Sequence, residues 1–206
     1  MRQHALLGRT AGAASLALLL LASCASTDLT SSQRNPAYTG PALTRIMVIG
    51  VTANMSARQE FENEFVTKLK AAGVSAVPSY PLVPDSASAG AAGLRKAAES
   101  AGVDGILAAR LVSLQQQDPN ALQAINFEDR TVSFYAYYAS QPSGSYDPVF
   151  ANDSDTITVH IDLYSVTASR LAWAGDAAIF PSANVKAATP GLASTVIHTL
   201  KNQKLI

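Results

Sequence analysis

The chain has 206 residues, 48% of them hydrophobic and 15% charged, with 15 Lys and Arg balanced by 15 Asp and Glu. That is the length of a single domain with enough apolar content to bury a core, and a net charge of zero gives no electrostatic case for nucleic acid. A single cysteine, Cys24, leaves no partner for a disulfide within the chain.

Arg2, His4 and Arg9 make the first stretch positive, an apolar run follows from Ala11 to Ala22, and small residues lead to Cys24. This is the order of a secretory signal, and the run is too short for a spanning helix, which needs about 20 apolar residues. Its end, Leu21-Ala22-Ser23-Cys24, resembles the lipobox of bacterial lipoproteins at each position. The resemblance implies that residues 1–23 are removed and that Cys24 carries an S-diacylglyceryl thioether and an N-acyl chain. No other cofactor is expected. One acyl chain holds a protein to a membrane only marginally, whereas two or more hold it firmly. Enterobacterial lipoproteins retained in the inner membrane carry an aspartate after the cysteine. Ala25 stands there in this chain, so the same resemblance points to the outer membrane, with the protein facing the periplasm. The plainer alternative is a secretory signal that happens to contain a cysteine.

Residues 24–44 are rich in Ser, Thr, Asn and Pro and show no apolar periodicity, so they are expected to form a lipidated tether. Some twenty residues reach about 65–70 Å fully extended and average about 25 Å as a coil. Residues 45–206 then form the expected domain. Arg45 to Val51 is a continuous apolar run, the mark of a strand covered on both faces. Ser56 and Gln59 read as a capping box before a helix with Phe61, Phe65, Leu69 and Ala72 on its buried stripe, and Gly73 as its stop. Arg58, Glu62, Glu64, Lys68 and Lys70 are expected on the solvated side. Val74 to Tyr80 predicts a second strand, the region of Leu94, Ala97, Ala98 and Ala101 a second helix ended by Gly102, and Val103 to Val112 a third strand. Strand, helix, strand, helix, strand is the pattern of a small α/β layer with right-handed crossovers.

Residues 113–154 depart from this pattern and read as an insertion. Thr131 to Tyr138 alternates, with Val132, Phe134, Ala136 and Tyr138 on one side and Thr131, Ser133, Tyr135 and Tyr137 on the other. The insertion holds Tyr135, Tyr137, Tyr138 and Tyr146, four of the seven tyrosines. Tyrosine supplies large contact area at low entropy cost and is enriched at interfaces. Phe134, Tyr135, Tyr137, Tyr138 and Tyr146 are therefore candidate partner-binding residues, and an ordinary extra strand with Tyr at its edge is the other reading. Asp147, Asp153 and Asp155 lack the Gly and Glu of an EF-hand loop and read as turn residues.

Thr156 to Tyr164 alternates strictly, with Ile157, Val159, Ile161 and Leu163 on one face and Thr158, His160, Asp162 and Tyr164 on the other, which predicts a half-solvated strand. A turn at Val166–Arg170 returns it as Leu171–Phe180, its antiparallel partner. A last helix is expected to start near Thr189-Pro190, with Pro at its first position and Leu192, Val196 and Leu200 inward. The whole reads as α/β (α+β), one small two-layer or three-layer sandwich with a mixed sheet, a hairpin and a closing helix.

The hairpin phrase Ile161-Asp162-Leu163-Tyr164 … Leu171-Ala172-Trp173-Ala174-Gly175 resembles one that recurs in small Gram-negative envelope lipoproteins. With the strand and helix order, it is similar to the lipoprotein activators of penicillin-binding proteins, the curli secretion lipoprotein and the amino-terminal domain of the Tol translocation protein. The turn differs, reading Val-Thr-Ala-Ser-Arg where those families often have Asp-x-x-Thr-Gly. The resemblance implies an anticodon-binding-like α/β layer and a non-catalytic role, with no particular partner.

No Gly-x-Ser-x-Gly, His-Glu-x-x-His or Gly-x-Gly-x-x-Gly pattern occurs in the chain. His160 and Asp162 share a strand face, but neighbours on one face point roughly parallel and rarely complete a site alone. No catalytic or metal-binding residues are therefore assigned. Two functional classes remain: a membrane-anchored binding, scaffolding or assembly module that engages an envelope protein, and an envelope enzyme acting on cell wall, glycan or lipid. Neither the partner nor the oligomeric state is specified by the sequence.

Overall fold

A computed structural model describes residues 29–52, 54–84, 86–113, 157–179 and 185–206. Among them are six strands, β1 (Leu29–Arg34), β2 (Arg45–Val51), β3 (Ser75–Pro78), β4 (Gly105–Ser113), β5 (Ile157–Ser165) and β6 (Arg170–Ile179). Three helices accompany them, α1 (Met55–Ala71), α2 (Ser86–Ala101) and α3 (Val185–Asn202). The strands form one mixed sheet in the order β1-β6-β5-β4-β2-β3, with β2, β3 and β4 parallel and the remaining neighbours antiparallel.

Helices cover both faces, so the sandwich has three layers. Ile46 and Val48 point into a core shared with Phe65, Leu69, Leu192, Val196 and Leu200 of α1 and α3. Met47 and Ile49, the alternate residues of the same strand, pack with Leu94, Ala97 and Ala98 of α2. A strand buried on both faces must be apolar throughout, and this is why β2 shows no alternation. Gly73 at φ +88° and Gly102 at φ +59° end α1 and α2 in left-handed conformation, which costs a glycine little.

Four local expectations are corrected. The cap of α1 is Asn54, whose Oδ1 accepts from Ala57 N at 3.0 Å, rather than the Ser56/Gln59 pair. Asn serves as well as Ser at this position, and the helix gains a half turn. The last helix begins at Val185 and runs through Pro190. The carbonyl that the proline leaves without its helical donor belongs to Lys186, in the exposed first turn where water can reach it. The second face of β5 is not half-solvated, since Thr158, Asp162 and Tyr164 are all buried. Arg58 and Glu62 of α1, expected in solvent, are 1% and 0% exposed.

The largest correction concerns the tether. Residues 29–34 are not a free linker but the edge strand β1, paired with β6 from Leu29↔Ala177 to Arg34↔Trp173. Side-chain hydrogen bonds replace the apolar pattern that would have announced it. Thr30 Oγ1 donates to the Asp176 carbonyl at 3.1 Å, Trp173 Nε1 to Ser32 Oγ at 3.1 Å, and Asn35 Nδ2 to the Leu171 carbonyl at 2.7 Å. Tyr38 and Leu43 are buried in the α1/α3 core. The C-terminal residues pin this segment from the other side: Leu43 N donates to Leu205 O at 2.8 Å, and Arg34 Nη1 to Gln203 O at 2.5 Å.

Candidate functional site

Two polar clusters stand out among the described residues, and sequence reasoning assembled neither. The first crosses the sheet on the α2 side. The register sets Arg110 of β4 opposite His160 of β5, His160 opposite Asp176 of β6, and Asp176 opposite Ser31 of β1. His160 Nδ1 bonds to Asp176 Oδ1, and Ser31 Oγ donates to Asp176 Oδ2 at 2.5 Å. The imidazole and the carboxylate are 13% and 10% exposed, so both interactions act with little water around them.

Serine, histidine and aspartate in contact invite comparison with a nucleophilic triad, and the order of contacts answers it. A triad needs the imidazole between hydroxyl and carboxylate, so that the ring takes the hydroxyl proton. Here the carboxylate is in the middle and receives both partners. Asp176 thereby ties β1 and β5 to β6. His160 and Asp162 share a face as expected, and His160 bonds across the hairpin to Asp176.

The second cluster lies at the carboxyl ends of β2 and β3. Arg58 Nε and Glu62 Oε1 form a buried ion pair at 2.8 Å, one turn apart on α1. Glu62 Oε1 also accepts from Gly50 N at 3.1 Å and Ser79 Oγ at 2.8 Å, and Oε2 accepts from Ser79 N at 2.6 Å and Tyr80 N at 2.9 Å. Arg58 Nη2 donates to Ser79 Oγ at 2.8 Å. One carboxylate thus receives three main-chain amides and a guanidinium, and this joins α1 to the end of β2 and to the residues that follow β3.

Cys24, Ala25, Phe134, Tyr135, Tyr137, Tyr138 and Tyr146 lie outside the described residues, as do Asp147, Asp153 and Asp155. Among the described residues no group of three or more His, Cys, Asp or Glu is placed to hold a metal ion, and no helix is long and apolar enough to cross a membrane.

No protein-family model matches the chain, and no curated protein matches it. Among solved structures the chain is similar to a variant of the PelC dodecamer from Paraburkholderia phytofirmans, with 12% identity over 82% of this chain and 98% of that one and a TM-score of 0.44. A second PelC dodecamer from the same organism is similar at 11% identity, covering 82% of this chain and 95% of that one, with a TM-score of 0.41.

Proposed function

We propose that the chain is a lipoprotein of the outer membrane, held by acyl chains on Cys24 and facing the periplasm, where it acts as a non-catalytic binding or assembly module for an envelope protein. The observation that carries this reading is Leu21-Ala22-Ser23-Cys24 at the end of an apolar run, with the cysteine alone in the chain. Two features of the fold support it. The contacts of Asp176 serve to hold strands together, and the buried carboxylate of Glu62 is committed to main-chain amides. Among the described residues, these two clusters lock elements of the fold to one another.

The test is fractionation of cells expressing the wild type or Cys24→Ala, with metabolic labelling by a fatty-acid analogue. We expect label and outer-membrane association in the wild type and loss of both in the variant. A variant that fractionates as the wild type does, or a wild type without label, overturns the proposal.

A further inference from the structure

Leu29 enters the sheet at a defined end. It pairs with Ala177 near the finish of β6, while Ile157 at the start of β5 pairs with both Ser113 and Ile179. β2, β3, β4 and β6 all finish at this end, and α1, which follows β2, starts there. The opposite end carries the β5–β6 turn, Gly73, Gly102 and the C-terminal residues bonded to Arg34 and Leu43.

From Cys24 to Leu29 is five residues, which at about 3.3–3.6 Å each span at most about 18 Å. With β1 stitched to β6 immediately afterwards, an anchor on Cys24 holds this end of the sheet near the lipid and the other end away from it.

An independent observation falls at the same end. The exposed large apolar side chains among the described residues are Met55, 40% exposed, and Leu82, 44% exposed. Met55 opens α1 just after β2, and Leu82 lies in the turn after β3. Scattered singly over a surface, such side chains need no explanation. Here both sit at the end where the anchor enters and on the far side of the sheet from it. β2 is four strands from β1 and β3 is five, which at about 4.8 Å per strand is roughly 19–24 Å.

We propose that the domain lies against the lipid surface on this end, anchored through Cys24 at the β1 edge and seated by Met55 and Leu82 in the headgroup region at the β2–β3 edge. Two contacts so far apart fix the tilt of the sheet, which a single anchor cannot do. The lipid surface, not a protein, is the occupant because the short reach from Cys24 brings that surface to this end. The inference rests on acylation of Cys24.

The experiment uses full-length, lipidated protein in vesicles of phosphatidylethanolamine and phosphatidylglycerol. Acylation consumes the thiol of Cys24, so Met55→Cys, Leu82→Cys or Ala168→Cys each supplies one free thiol for an environment-sensitive fluorophore. Ala168 is exposed in the β5–β6 turn at the opposite end. Lipids carrying a quencher just below the headgroups are expected to lower emission about twofold or more at positions 55 and 82 and to leave position 168 unchanged. Equal quenching at the three positions, or quenching at 168 alone, overturns the orientation while a fatty-acid label on Cys24 keeps the lipoprotein reading. Absence of that label overturns both.

Discussion

Trp173 is fully buried, and its ring lies along its own strand over Gly175. A Cβ at Gly175 would fall 2.3 Å from the indole, closer than any real contact allows. The ring has no room to yield, since Trp173 is 0% exposed and its Nε1 is committed to Ser32. Gly175→Ala is therefore expected to lose about 2–3 kcal/mol by overpacking, measured by chemical denaturation, against less than about 0.5 kcal/mol for Ala178→Ser at an exposed position of the same strand. At Glu62 the argument is electrostatic. Glu62→Ala strands the Arg58 guanidinium and three amides in the interior and is expected to cost about 3–5 kcal/mol. Arg58→Met/Glu62→Leu removes the stranded charge, so a cycle built with Arg58→Met and Glu62→Leu should show the double change costing less than these two single changes added together. Strict additivity would mean that the ion pair contributes nothing as a pair. Neither residue was placed correctly from sequence, and the reason is physical. A charged pair one turn apart is the usual ornament of a solvated helix face. What buries this one is Ser79 and the amides beyond β3, groups distant in sequence that no helical pattern signals.

At the scale of elements, the sheet strands and helices that repeat an apolar period were legible: the buried run of β2, the stripe of α1, the hairpin of β5 and β6, and the glycine stops. β1 was not, because it is held by polar side chains. Asn35 is 2% exposed, donates to the Leu171 carbonyl, and accepts from Ala37 N through Oδ1 at 2.9 Å. Asn35→Ala should cost about 1–3 kcal/mol for the groups it leaves without partners. Hydrogen exchange should rise in residues 29–37 and 171–177 while β2 and β4 stay protected. Uniform acceleration across the sheet would mean that β1 is not separately held. The candidate site was illegible for a related reason. Counting back from the β5–β6 turn puts His160 opposite Gly175, with Asp176 facing away. A register shift between Leu163 and Tyr164 moves the partner by one residue and brings Asp176 across from the ring. A bulge of one residue exchanges the two faces of a strand, and nothing in the local composition announces it.

At the scale of the molecule, the fold class followed from the order of strands and helices, while the sequence left two layers and three both open and the packing of α2 on Met47 and Ile49 decides for three. The boundary of the domain did not follow, because residues 29–44 contribute to the sheet and the core without resembling either. This boundary sets how far the folded body stands from Cys24. It also fixes an order of events. Ser31 and the Asp176 that holds it are 145 residues apart. In a chain delivered N-terminus first, β1 has no strand to join until nearly everything else has arrived, and pairing over so long a loop is slow to form. On the lipoprotein reading proposed above, β1 is still without its partner strand while the rest of the chain is delivered, which is when the enzymes that would cut and acylate Cys24 have to act. When β6 emerges and closes over β1, the domain draws itself onto its own starting point.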